Sequence, residues 1–204
     1  MLIQLENLTK RFNQERVFEK INYTFETGNH YAITGSNGSG KSTLIQIIAG
    51  STLPSSGSLK YSNGGQNIPV EDVFKDVSMA TPYMDIIQEF TLVELLEFHF
   101  KFKRLASNKT ISDIIEDAYF IGSENKYIKN FSSGMKQRLK LALAFYSDTP
   151  ILLLDEPTSN FDEKAIDWYS NNIKNIKNRL LIIASNQPEE YKSCSYKLDI
   201  EMFK

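Results

Sequence analysis

Nine consecutive residues decide the fold: Gly35-Ser36-Asn37-Gly38-Ser39-Gly40-Lys41-Ser42-Thr43. They fit the pattern G-x-x-x-x-G-K-[ST], in which glycines let the backbone curl so that several N–H groups point inward at a phosphate. The pattern stands between a predicted strand at residues 30–34 and a predicted helix at residues 41–49, and this context argues against a chance glycine-rich turn. We therefore predict a triphosphate site in which Lys41 reaches the β- and γ-phosphates and the Ser42 hydroxyl is a ligand of Mg²⁺.

A second part of this site is predicted where four apolar residues, Ile151 to Leu154, are followed by Asp155 and Glu156. An apolar run without alternation is typical of a strand buried on both faces. Its carboxyl end lies at the edge of a parallel sheet, where such folds bind ligands. We expect Asp155 to hold Mg²⁺, directly or through water, and Glu156 to orient or deprotonate an attacking water. The alternative is a strand that simply ends in a polar turn.

Farther out, predicted strands alternate with predicted helices, which indicates a mostly parallel sheet covered by helices on both sides. Small antiparallel strands precede the phosphate loop. We predict one domain with a core at residues 1–87 and 147–204 and an inserted helical lobe at residues 88–146. Strand patterns occur at residues 2–6, 17–25, 58–61, 76–80, 180–184 and 196–203, and helix patterns at residues 91–103, 112–120, 132–146 and 162–177.

The helix pattern at residues 91–103 has two further properties. Thr91 and Glu94 have the spacing of a capping box, which predicts where the helix begins. Its apolar residues cover most of the circumference, so the helix is expected to be buried, or half buried and half offered to a partner.

Composition and charge exclude several classes of protein. In 204 residues, 41% are hydrophobic and 24% charged, which is ordinary for a globular domain and excludes wholesale disorder and fibrous repeats. The net charge of -2 offers no large basic field, so no nucleic-acid partner is expected. One cysteine, Cys194, cannot form an internal disulfide, which suits a reducing compartment. We see neither a secretory signal nor a membrane-spanning run.

A third stretch, Phe131-Ser132-Ser133-Gly134-Met135-Lys136-Gln137-Arg138, resembles the signature peptide L-S-G-G-Q-x-Q-R of the ATP-binding cassette (ABC) family. Four residues match the peptide, while Ser133 replaces a glycine and Met135 a glutamine. Taken alone, the stretch is equally well a serine-capped helix start. With the other two motifs in this order and spacing, the chain resembles the nucleotide-binding subunit of an ABC transporter over nearly its full length.

The resemblance implies a P-loop NTPase fold and Mg-dependent hydrolysis of ATP held between two such subunits, identical or different. Ser132, Ser133 and Gly134 would then cap the γ-phosphate of ATP held by the opposite subunit. Phe12 would stack on adenine, a contact worth about 1–3 kcal/mol, unless it is a core phenylalanine. Asp162 belongs to a loop that would cross the dimer interface, and it also suits a helix N-terminus.

Two departures from the family pattern touch hydrolysis rather than binding. The family usually has a glutamine near the end of the strand at residues 77–80, but the sequence there is Met79-Ala80-Thr81-Pro82-Tyr83, and Gln88 is too far along the chain to replace it. Asn186 stands where the family has its switch histidine. An asparagine can hydrogen-bond a phosphate oxygen but cannot carry a positive charge, so slow turnover is expected.

The resemblance implies an ATPase that powers a separate transmembrane permease chain, so the subunit would be cytoplasmic and peripheral at the inner face of the membrane. The permease would dock at residues 83–90 and the following helix. In size the chain resembles the short cassettes, such as those of haem export in cytochrome c maturation. The alternatives are a non-transport cassette protein, whose relatives generally carry two cassettes or a long coiled coil, and a phosphate-loop small-molecule kinase, which leaves the signature peptide and Asp162 without a role.

Overall fold

The central sheet of the computed structural model, which describes residues 1–204, contains five strands in the order β6-β7-β8-β3-β9. All its neighbouring strands are parallel, so the predicted parallel sheet contains no antiparallel strand. Every residue of β7 and β8 is buried, because helices or the second sheet cover both faces. The strands are β3 (His30–Thr34), β6 (Val77–Ala80), β7 (Ile151–Asp155), β8 (Leu180–Ala184) and β9 (Tyr196–Asp199).

The second sheet is antiparallel, as predicted, with the order β2-β1-β4-β5. Its first two strands are longer than the sequence pattern indicated. The β1–β2 pairing shifts register around Asn7 and Lys20, both of which have positive φ angles (50° and 54°). Such bulges interrupt the alternation of apolar and polar residues, which concealed the full length of the strands. The strands are β1 (Leu2–Phe12), β2 (Glu15–Glu26), β4 (Ser56–Asn63) and β5 (Gln66–Ile68).

The bounds of five helices lie within three residues of those predicted: α1 (Lys41–Ile48), α2 (Leu92–Phe102), α3 (Ile111–Asp117), α4 (Ser133–Tyr146) and α5 (Glu163–Asn175). The capping box at Thr91 and Glu94 is present at the start of α2. Ser132 and Asp162 cap α4 and α5, each accepting from a backbone N–H three residues on. Short 3₁₀ turns occupy Val70–Lys75, Ile128–Asn130, Pro188–Tyr191 and Ile200–Phe203.

The prediction of a strand over residues 196–203 is wrong beyond Asp199. The chain turns into the last 3₁₀ segment, where the Asp199 carboxylate accepts from the Glu201 N–H at 3.1 Å. Ile200 is fully buried and packs under the phosphate loop, so close that a Cβ added to Gly35 would lie 2.8 Å from its Cγ2. Burial of this one side chain turns the backbone out of the sheet.

Two apolar cores lie on opposite faces of the parallel sheet. Leu152 and Leu154 belong to the core shared with α2, α3, α4 and α5, whereas Ile151 and Leu153 belong to the core shared with α1 and the antiparallel sheet. The helical lobe therefore packs on one face only, and its division from the rest at residues 88 and 146 stays a prediction.

None of the helices has both the length and the apolar character needed to cross a bilayer.

Candidate nucleotide-binding site

The phosphate loop joins β3 to α1 and is tightly packed. Gly40, at the N-cap of α1, has φ 103°, and a Cβ there would lie 2.4 Å from Val17 Cγ1 of β2. A side chain at this position would be strained by the backbone and blocked by the neighbouring strand. The first turn of α1 contains no acidic residue, so the positive end of the helix is not neutralised by its own side chains.

Lys41 carries the positive charge of this loop. Its side chain is 4% exposed, and its Nζ donates to the carbonyl oxygens of Gly35 (3.0 Å) and Ser36 (2.9 Å). No carboxylate forms an ion pair with it. The ammonium group is thus curled inside the loop and free to balance the charge of a phosphate.

Asp155 ends β7 beside α1. Burial raises the pKa of its carboxyl group to about 6; the nearby Ser42 hydroxyl counteracts this rise, and the charge of Glu156 adds to it. The residue is 1% exposed, and its Oδ1 has no hydrogen-bond partner. A carboxylate with an unpartnered oxygen next to a hydroxyl fits a hard cation such as Mg²⁺, which prefers oxygen ligands.

Glu156 turns the chain sharply at the end of β7. Its φ is 43°, its N–H donates to the Ala184 carbonyl at 2.9 Å, and its carbonyl accepts from the N–H (3.2 Å) and hydroxyl (3.0 Å) of Ser159. Its carboxylate makes no hydrogen bond or ion pair within the chain. The turn thus presents a partly exposed, unengaged carboxylate next to Asp155, in a position from which it could contact a water.

Asn186 lies beside the phosphate loop, although 149 residues separate it from Asn37. Its Nδ2 donates to Asn37 Oδ1 at 2.8 Å. The preceding residue, Ser185, is fully buried and donates its N–H to Ile33 of β3 at 3.1 Å. The loop after β8 is thereby anchored against the strand that leads into the phosphate loop.

The segment after β6, where the family has a glutamine, is held by a lysine. Lys140 of α4 donates its Nζ to the carbonyl oxygens of Thr81 (3.3 Å) and Pro82 (2.9 Å). Gln88 is exposed, and its carbonyl accepts from the Lys129 N–H in the helical lobe. It therefore lies at the far end of the connection between β6 and α2, next to the helical lobe, and away from the residues that directly follow β6.

The signature residues form the N-terminus of α4, but Ser132, Ser133 and Gly134 make no hydrogen bond to the phosphate loop of the same chain. They lie instead against the loop that follows β7: a Cβ on Gly134 would lie 2.9 Å from the Asn160 carbonyl oxygen. Asp162 ends that loop and caps α5. The fold thus places the signature residues beside the loop that contains Asp162, and none of them hydrogen-bonds to the phosphate loop of the same chain.

Phe12 is 51% exposed at the end of β1, so it is not a core phenylalanine. It forms part of the β1–β2 hairpin, which touches the phosphate loop through Val17. The Lys10 ammonium lies 4.7 Å from the centre of its ring. An exposed ring on this hairpin is available for stacking on a base.

Sequence reasoning missed the contacts of the C-terminal segment. Glu201 Oε1 accepts from the N–H (3.0 Å) and the hydroxyl (2.5 Å) of Ser36, and Lys204 Nζ donates to the Ser39 carbonyl at 2.9 Å. Each pair is separated by 165 residues, and no motif connects the two ends. The pairing of β9 with β3, which sets Asp199 opposite Thr34, and the packing of Ile200 under the loop bring them together.

Comparison with known proteins shows the family of this chain. A family profile described as "ABC transporter" matches residues 18–159. An ABC transporter ATP-binding protein of Bacillus subtilis, YybJ, is 34% identical over 93% of this chain and 87% of its own length. The glucose import ATP-binding protein GlcV of Saccharolobus solfataricus is 29% identical over 92% of this chain, which spans only 57% of GlcV.

Solved structures have the same fold. The ATP-binding protein of an ABC transporter from Pyrococcus furiosus superposes with a TM-score of 0.82 over the full length of both chains, at 21% identity. A bacterial Atm1-family ABC exporter with ATP bound gives a TM-score of 0.80 at 17% identity, over 98% of this chain and 37% of the exporter. The sequence matches favour neither the non-transport nor the kinase alternative. This chain belongs to the ABC transporter family, as an ATP-binding ATPase subunit.

Proposed function

We propose that this subunit binds Mg-ATP where β3, β7 and β8 end, hydrolyses it with Glu156 as the base, and thereby powers a separate permease chain. The observation that carries the proposal is the cluster at the base of the loop. There the buried Asp155 meets the Ser42 hydroxyl beside Lys41, and the unengaged Glu156 follows directly. This set of groups suits a triphosphate, its cation and an attacking water.

Asp155 and Ser42 would hold the cation, and Lys41 with the N–H groups of residues 38–43 would hold the phosphates. Mg²⁺, when bound, supplies positive charge to the phosphate oxygens. The carboxylate of Glu156 accepts a proton from the water, for which it needs to be ionised and unengaged. Phe12 would stack on the base.

Turnover is proposed to be slow. Asn186 offers its amide where a histidine could offer a charged donor, and the segment held by Lys140 has no glutamine to contact the water. Both changes leave the phosphate loop intact. The expected result is tight binding of ATP and weak basal hydrolysis.

A second nucleotide-binding subunit, identical or different, is proposed to complete the site. Ser132, Ser133 and Gly134 open α4 with free backbone N–H groups and do not contact the phosphate loop of their own chain. They are therefore available to the γ-phosphate of a nucleotide on another subunit. Asp162 and the loop before it would lie at the same interface.

The permease is proposed to dock in an apolar groove beside α2. The groove has a volume of about 450 Å³, and Phe98 and Phe102 of α2 stand at its rim with exposures of 38% and 75%. A short amphipathic helix of the permease fits an apolar groove of this kind. Cargo and direction would be set by that partner, and the narrower likeness to haem-export cassettes stays a prediction. The groove is lined by residues that include Phe74, Met79, Met84, Ile86, Ile87 and Leu95.

The test compares Glu156→Gln with Lys41→Ala. The amide keeps the shape of Glu156 but cannot act as a base, so hydrolysis should fall by about 10²-fold or more while ATP affinity is kept. Light scattering with Mg-ATP should then find the Glu156→Gln protein as a dimer, because the nucleotide sandwich forms and is not hydrolysed. Lys41→Ala should lose tight ATP binding and remain a monomer.

Two results would contradict the proposal. Hydrolysis at the wild-type rate by Glu156→Gln places the base elsewhere. Wild-type ATP affinity in Lys41→Ala, measured by calorimetry, means that the phosphate loop does not bind the nucleotide.

A further inference from the structure

A buried acid holds the loop that follows Glu156. Glu190 lies on the 3₁₀ turn after Asn186 and is 3% exposed. Its Oε1 accepts two hydrogen bonds from Thr158, one from the backbone N–H at 2.8 Å and one from the hydroxyl at 2.5 Å. This contact joins the segment after β8 to the loop after β7, two residues from the proposed base.

Burying a carboxylate is costly unless it is well bonded, and Glu190 has no lysine or arginine partner. Its Oε2 has no hydrogen-bond partner either. Its position is nevertheless fixed, because its own carbonyl accepts from the hydroxyl of the buried Tyr169 at 2.7 Å. Both of its side-chain hydrogen bonds go to one residue, Thr158, so holding that residue is what the carboxylate does in this structure.

The same loop is also held by the signature helix, α4. Gln137 of α4, which is 5% exposed, donates its Nε2 to the Pro157 carbonyl at 3.1 Å. Within the loop, Glu156 and Asn160 have left-handed φ angles of 43° and 65°. Asparagine adopts such an angle readily, but for a glutamate it is uncommon and is held by the surrounding structure.

We propose that Glu190 is a positioning residue for ATP hydrolysis. By fixing Thr158 it keeps the backbone of Glu156 in its left-handed turn and its carboxylate aimed toward the phosphate side of the site. Gln137 holds the neighbouring residue, Pro157, from α4. This inference rests on the proposed role of Glu156, because the hydrogen bonds of Glu190 hold Thr158, two residues from that base.

The first test is Glu190→Ala, with ATP affinity and kcat measured separately. The alanine cannot hold Thr158, so kcat should fall about 10- to 100-fold while the dissociation constant for ATP changes less than about threefold. Glu190→Gln should restore most of the rate, because its amide oxygen can accept the same two hydrogen bonds. Glu189→Ala, an exposed change on the same turn, is the matched control and should behave as wild type.

A double variant separates positioning from simple structural damage. If Glu190 acts through Glu156, Glu190→Ala should cause little further loss of rate in a Glu156→Gln background. An unchanged kcat in Glu190→Ala, or an equal loss of ATP affinity and kcat, overturns the positioning role. Should Glu190→Ala not fold, Thr158→Val against Thr158→Ser tests the same hydroxyl contact, and equal rates in these two overturn it.

The result for Glu156→Gln alone distinguishes the two proposals. If that variant is inactive and Glu190→Ala is normal, only the positioning role fails. If Glu156→Gln hydrolyses ATP normally, the proposed function fails and the positioning role fails with it.

Discussion

At the residue scale, Asn186 is the side chain that we expect to limit ATP turnover without weakening ATP binding. Its amide donates to Asn37 at 2.8 Å, so it is already engaged with the phosphate loop. An amide carries no charge at any pH. A protonated imidazole at this place would add a positive charge, and its stabilising effect is greatest in the transition state, where negative charge develops. A histidine would therefore stabilise the transition state of hydrolysis more than it stabilises the bound nucleotide.

We therefore predict that Asn186→His raises kcat with little change in ATP affinity. A charge-assisted contact made in the transition state is worth about 2–4 kcal/mol, so an increase of roughly 10²- to 10³-fold is expected. Steady-state kinetics at saturating Mg-ATP is the measurement. A neutral or slower Asn186→His protein would mean that asparagine is the working residue of an adapted site.

At the scale of the element, α2 combines a capped N-terminus with a partly buried histidine. His99 Nε2 lies 3.0 Å from the Ser147 hydroxyl oxygen, and that hydroxyl donates its hydrogen to the Leu143 carbonyl at 2.7 Å. The serine can then only accept from the imidazole, so the proton of neutral His99 is on Nε2. Burial, and after it the charge of Lys103, lowers the pKa of His99 to about 4.

This lowered pKa predicts a loss of stability in mild acid. The unfolded chain takes up the proton near pH 6.5 and the folded chain only near pH 4, so the contribution of His99 is complete above pH 6.5 and is lost as the pH falls toward 4. Because His99 is partly exposed, we expect its titration to lower the free energy of unfolding by only about 1 kcal/mol at pH 5 relative to pH 7. Thermal unfolding at pH 7 and pH 5 should show a smaller drop in Tm for His99→Gln than for the wild type. Equal drops would contradict the assignment.

At the scale of the whole molecule, the nucleotide site and the apolar groove are separate features connected by shared elements. Strand β6 ends beside the groove, and α4 runs from the signature peptide to the groove wall at Leu143 and Ala144. Lys140 of the same helix holds Thr81 and Pro82, at the end of β6. A partner in the groove would therefore contact the two elements that also reach the loops of the ATP site.

We predict that Phe102→Glu leaves fold and basal ATPase activity intact and reduces attachment to the membrane. A buried aromatic contact at an interface is typically worth 1–2 kcal/mol, so the membrane-bound fraction should fall about tenfold. Ile121→Glu, an equally exposed apolar site in the helical lobe and outside the groove, is the control. Fractionation of cells that express each tagged variant is the measurement. Equal loss in both variants, or none in Phe102→Glu, would contradict docking in the groove.

The features that the sequence alone determined are local. The phosphate loop, the fully buried β7, and the caps at Thr91, Ser132 and Asp162 all depend on residues within a few positions of each other. Glycine spacing, apolar runs and capping pairs act over such distances, so one stretch of chain contains the whole signal. The family assignment followed from three such motifs in order.

Other features were decided only by the tertiary structure. The contact of Glu190 with Thr158 spans 32 residues and that of Glu201 with Ser36 spans 165, and neither acid differs in sequence from an ordinary surface residue. Bulges hid the length of β1, and burial of Ile200 ended β9 early. The physical reason is the same in each case: a carboxylate or an apolar side chain gains its role from the groups that the folded sheet places against it, and local periodicity contains no record of those groups.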